Sequence, residues 1–113
     1  MAAGRLGTPA NLTAATNTTL YTNATTYAVC TVNILNRNTT ALTIRLGLTS
    51  TGTSGGFTGG GGTPGLAEWL EFDTVIPANG VLERTGLVVG ATQNLVAYAS
   101  ATGVTAMVYG IET

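Results

Sequence analysis

Ala41-Leu42-Thr43-Ile44-Arg45-Leu46-Gly47-Leu48 decides the fold class. Leu42, Ile44, Leu46 and Leu48 recur at every second position with Thr43 and Arg45 between them, which is the period of a strand with one face in a core. Upstream the same period places Ala28, Cys30, Val32 and Ile34 on one face of a strand running from Tyr27 to Asn36. The polar run Asn36-Arg37-Asn38-Thr39-Thr40 between the two strands predicts an antiparallel hairpin. Downstream, Leu70, Phe72, Thr74 and Ile76 alternate with Trp69, Glu71, Asp73 and Val75 until Pro77-Ala78-Asn79-Gly80 breaks the strand. Proline presets φ for a turn and Asn-Gly accepts positive φ, so Val81 begins a new strand. Pairing the two strands about that turn would place Thr74 or Asp73 opposite Glu83 or Arg84, which makes a cross-strand Asp73–Arg84 ion pair geometrically available.

Further strands are legible at about 81–89, 93–101 and 104–112, with glycines at 90 and 103 between them, and 18–22 supplies a seventh or eighth. Helix signals are nearly absent, because no ten-residue stretch carries apolar positions at i, i+3, i+4 and i+7. Seven or eight short strands within 113 residues predict an all-β chain. The expected fold is a single antiparallel β-sandwich domain over 1–113, with jelly-roll or Greek-key order ahead of a meander.

Two segments lack the period. Residues 49–65 are almost wholly Gly, Ser and Thr and carry Phe57; such a stretch recovers little ordering entropy from burial and reads as a long mobile loop. Residues 1–16 hold Leu6 and Leu12 as their only large apolar residues and read as an extended N-terminal arm that orders by docking on a neighbouring chain.

Hydrophobic residues make up 44% of the chain and charged residues 8%, against about 25% in an ordinary soluble domain. Lysine, the usual guard of exposed strand edges, is absent, so strand faces rich in Thr, Ala, Val and Tyr are expected to be covered in an assembly. Four scattered arginines against five carboxylates form no cationic footprint for nucleic acid. No apolar run long enough for a bilayer and no signal-peptide core is present, which predicts neither membrane insertion nor export, and assembly in a cytosol.

With no histidine, the commonest general base and metal ligand are missing, and Ser-His-Asp and Cys-His sites are impossible. Cys30 is the lone cysteine and sits among Ala28, Val29 and Val32, as a buried, unreactive thiol would. Glu71 and Asp73, with Glu68 nearby, read as a solvated strand face rather than a carboxylate pair or calcium site. The glycines at 59–65 are followed by no lysine and no helix, so no phosphate loop is expected. Asn11, Asn17, Asn23 and Asn38 open Asn-X-Ser/Thr triplets, which a chain about one-fifth threonine produces by chance. The reading is therefore of a non-enzyme without cofactor, metal or small-molecule substrate. Its candidate interaction residues are Leu6, Leu12, Phe57, Trp69, Asp73 and Arg84.

The segments TYAVCTVNILNRNTTALTIRLGL (26–48), EWLEFDTVIPANGVLERTGLVV (68–89) and QNLVAYASATGVTAMVYGIE (93–112) resemble the small virion structural proteins of tailed bacteriophages, especially those of cyanophages. The likeness covers about two-thirds of the chain and is most specific from Phe72 to Gly86. It implies a capsid decoration, or cement, protein on the outer head surface, partnered by the major capsid protein and by copies of itself in a homotrimer. A tail, neck or fibre component is the alternative within a virion. A carbohydrate-binding sandwich stacking Trp69, Phe57 or Tyr98 on sugar rings is the alternative from another class.

Overall fold

The computed structural model describes residues 2–15, 17–23, 25–49, 69–91 and 93–113. They form β1 (Ala2–Leu12), β2 (Thr18–Thr22), β3 (Tyr27–Asn36), β4 (Leu42–Thr49), β5 (Trp69–Ile76), β6 (Val81–Gly90), β7 (Asn94–Ala99) and β8 (Val104–Glu112). Two antiparallel sheets result, ordered β1-β8-β3-β6 and β2-β7-β4-β5. The pairings are nested: β1 with β8, β2 with β7, β3 with β6 and β4 with β5. Additional β3–β8 and β4–β7 pairs complete each sheet. An eight-stranded sandwich with this order is a jelly roll, in agreement with the sandwich expected from the strand pattern.

Alternation places the core where the sequence pattern predicts it. Cys30, Val32, Ile34, Val104, Ala106 and Val108 of the first sheet face Leu42, Ile44, Leu46, Leu95, Ala97 and Ala99 of the second, all buried. What alternation does not encode is the pairing partner. Neither expected hairpin forms, because β3 and β4 lie in different sheets, as do β5 and β6. Among the eight strands only β4 and β5 are consecutive within one sheet. A short connection can reverse within a sheet or climb the roughly 10 Å to the opposite one, and here both climb.

Buried Asn36 shows why. Its Nδ2 lies 2.9 Å from the Thr40 carbonyl, 3.2 Å from that of Ile76 and 3.1 Å from that of Pro77, while its Oδ1 accepts the Asn38 N–H at 2.9 Å. The Asn36 N–H donates to the Gly80 carbonyl and the Asn79 N–H to that of Asn38. The two arches at this end of the sandwich are thus stapled to each other. Asn79 carries the positive φ of the second arch, and Gly80 N–H closes its turn on the Pro77 carbonyl. Asn23 does the same at the opposite end, donating to the Val89 carbonyl and accepting from the Thr25 backbone and hydroxyl.

The N-terminal arm is a correction. Residues 2–12 form edge strand β1 against β8, and Leu6 and Leu12, at 4% and 2% exposure, belong to the core. Gly4, Gly7 and a register shift between Leu6 and Ala10 erase the alternation that would have marked the strand. Gly7 is required as glycine: its φ is +64°, and a Cβ there would lie 2.3 Å from the Leu20 carbonyl oxygen. Residues 50–65, with Phe57, lie outside the described residues.

Candidate functional site

Among the described residues, the outer face of the second sheet carries a part-exposed cluster of aromatic and charged side chains. Arg45 points away from the core because Ile44 and Leu46 point into it. On one side its register partner is Tyr98 of β7. On the other side the β4–β5 register slips between Ile44 and Leu46, so that Phe72 and Asp73 together oppose the single residue Arg45. This is a β-bulge, and Asp73 adopts φ +51° within it. A left-handed conformation at a non-glycine residue costs on the order of 1 kcal/mol or more. The bulge turns both Phe72 and Asp73 toward Arg45.

A second slip, between Leu46 and Gly47, sets Trp69 opposite Gly47 on the same outer face. The guanidinium carbon of Arg45 lies 4.2 Å from the Phe72 ring centroid, 4.5 Å from that of Tyr98 and 6.0 Å from that of Trp69. Arg45 Nε donates to Asp73 Oδ1 at 2.7 Å, and the Trp69 and Phe72 rings meet edge to face at 5.6 Å. The hydrogen bond to Asp73 raises the Arg45 pKa further, so the site holds a permanent cation. Each exposed cation–π contact is worth about 0.5–1 kcal/mol and the ion pair about 0–1 kcal/mol. Their main effect is to confine a long side chain to one orientation.

The two bulges overturn part of the sequence reading of β5. Phe72 was expected on the core face and is 52% exposed. Glu71 was expected beside Asp73 on a solvated face and instead lies opposite buried Leu46. There its carboxylate accepts the Thr74 hydroxyl at 2.9 Å and a hydrogen bond from Arg84 Nη1. Arg84 sits on β6, the edge strand of the other sheet, so this ion pair closes the flank between the two sheets. The expected Asp73–Arg84 pair is replaced by Arg45–Asp73 and Arg84–Glu71.

Of the residues picked from sequence, Trp69 and Asp73 belong to the cluster, Arg84 to the flank beside it, Leu6 and Leu12 to the core, and Phe57 lies outside the described residues. Arg45 and Phe72 were missed. A signal for Arg45 existed: it is the lone charge on the polar face of the most regular strand. Phe72 had none, since alternation argued for the core. Chemically the cluster offers a fixed cation, apolar rings and one carboxylate. Among the described residues no group of three or more Cys, Asp or Glu could hold a metal ion, and no helix is long and apolar enough to cross a membrane. No protein-family model matches the chain, and neither a curated protein nor a solved structure does.

Proposed function

We propose that the chain is a non-enzymatic structural protein of a tailed-phage virion, a decoration protein that binds the outer surface of the head and strengthens contacts between capsomers. The observation that carries the docking role is the Arg45 cluster. Arginine, tryptophan and tyrosine are the residues that dominate binding energy at protein interfaces. Here they lie half-buried on the outer face of one sheet and are already held in place, so little side-chain entropy remains to be lost on binding. The phage assignment rests on the resemblance of 26–48, 68–89 and 93–112 to small virion proteins. Jelly rolls occur in capsids, lectins and cupins alike, so the fold by itself does not choose among them.

The carbohydrate reading is weaker on physical grounds. A sugar stacks on a free ring face, and Arg45 occupies a face of both Phe72 and Tyr98. The test is co-sedimentation with expanded, undecorated tailed-phage heads, followed by electron microscopy of the particles. Saturable binding at symmetry-related positions is expected, and Arg45→Ala should weaken it about tenfold or more. Attachment to tails or fibres alone, or retention on a glycan array without binding to heads, would overturn the head assignment.

A further inference from the structure

Among the described residues nothing covers the outer face of the first sheet, and its pattern fits a second copy of itself. Residues in register across four strands share a face, so Ala3, Ile111, Val29 and Val88 form one row running from β1 through β8 and β3 to β6. Val29, Val88 and Ile111 are 45%, 58% and 51% exposed, and Tyr27 extends the row's apolar area along β3. Leu35 and Val81, in register near the other end, add to the same face. Val29, Ile111 and Val88 are also β-branched, which keeps their side chains stiff and limits the entropy lost on burial.

Charge gives the face a direction. Arg5 stands outward on β1 and Glu83 outward on β6, the two edge strands, three strand spacings or about 14 Å apart. Arg5 has no ion-pair partner among the described residues. Glu83 accepts only the Tyr109 hydroxyl, at 2.7 Å, among the hydrogen bonds of the described residues. The remaining cation at this face, Arg37, lies at its end, hydrogen-bonded to Asn11 and Thr105.

We infer that two copies of the chain associate face to face through the outer surface of the β1-β8-β3-β6 sheet, about a two-fold axis parallel to the strands and midway between β8 and β3. That operation lays β1 of one copy over β6 of the other and β8 over β3. The row then meets its own reverse: Ala3 opposes Val88, small against large, and Ile111 opposes Val29. Arg5 of each copy comes to the Glu83 edge of its partner, one row away along the strand and within an arginine's length, so two equivalent ion pairs form at the rim. No like charges are brought together along the row. A four-stranded face nine residues long covers about 550 Å² per copy, or about 1,100 Å² for the pair, enough to pass the roughly 1,000 Å² below which specific interfaces are rare. Sheets packed in this way align to within about 30°.

This face is separate from the Arg45 cluster, so the inference stands whether or not the particle-binding reading does. It also differs from the three-fold unit that the resemblance implies. Sedimentation velocity of the full chain from 1 to 100 µM is the test, with Arg5→Glu, Glu83→Arg and the double variant. A dimer is expected for the wild-type chain. Each single reversal should raise the dissociation constant about tenfold or more, because like charges then meet at both rims. The double reversal should restore it, because it rebuilds both pairs with exchanged signs, and recovery also shows that the single variants failed by charge rather than by misfolding. Arg45→Ala should leave the dimer intact. A monomer at 100 µM, a trimer, or single reversals without effect on self-association would overturn the inference.

Discussion

Replacing Asn36 by alanine should destabilise the protein more than any surface change, because one side chain holds both arches at its end of the sandwich. The substitution removes donors that lie 2.9–3.2 Å from the carbonyls of Thr40, Ile76 and Pro77, and an acceptor for the Asn38 N–H. The Ile76 contact is buried, and leaving that carbonyl unpaired costs about 1–3 kcal/mol. The amide carries two N–H groups for three carbonyls, so it donates at most two full hydrogen bonds; the second of these and the bond from the Asn38 N–H are partly reached by water and are worth about 0.5–1 kcal/mol each. Together they amount to about 2–5 kcal/mol, a large part of the roughly 5–15 kcal/mol that holds a domain of this size folded. In urea titrations followed by tryptophan fluorescence the midpoint should fall by about 2 M, and the thermal midpoint by roughly 10–25 °C. Asn36→Asp should be worse than alanine, since an ionised carboxylate would face three carbonyl oxygens with nothing to donate. A loss below about 1 kcal/mol for Asn36→Ala, with an unchanged denaturant slope, would refute the stapling argument.

Double-mutant cycles should separate the two ion pairs: coupling of about 0.5–1 kcal/mol for Glu71 with Arg84 and for Arg45 with Asp73, and none for Asp73 with Arg84, because all four side chains are partly solvated. Measurable Asp73–Arg84 coupling would mean that β5 lacks its bulge. Stability should fall as the pH rises above about 9. Burial raises the Cys30 thiol, and burial followed by the hydrogen bond to Glu112 raises the Tyr21 phenol well above its usual value near 10. The unfolded chain then releases protons that the native state still holds, so the slope of stability against pH is negative. Urea midpoints from pH 8 to 11 check this, and Tyr21→Phe should flatten the slope above pH 10; a flat or rising profile in the wild-type chain would contradict the assignment.

The faces of β3, β4 and β8 were legible because each alternates without interruption, and a regular strand half in a core has only one way to place its side chains. The pairing was not legible. Asn36 to Thr40 carries turn chemistry that suits a hairpin as well as an arch, and the choice is made by Asn36 bonding to carbonyls about forty residues away. β1 was hidden by its glycines and by Pro9, and became a strand only because β8 supplies its backbone partners and the core accepts Leu6 and Leu12. In β5 two register slips turned Phe72 outward and Glu71 toward the flank, an exchange that period-two reading always misses. Trp69 and Asp73 could be singled out as individuals. The residue that gathers them, Arg45, could not be ranked above its neighbours without the bulge.

The nesting of strands has a consequence for vectorial synthesis on a ribosome. Of the eight described strands β8 emerges last, yet it lies inside its sheet between β1 and β3. Until residues 104–112 clear the exit tunnel, β1 has no partner and β3 presents one bare edge, so the first strand made must wait for the last. The innermost pair, β4 with β5, can close first, and each outer pair then joins chain segments farther apart, at a loop-closure entropy that grows only slowly with separation. Such a topology folds in milliseconds to seconds rather than microseconds. During that interval the unguarded edges of a chain without lysine are open to neighbouring nascent copies, and crowding of polysomes becomes a determinant of how much soluble protein is made.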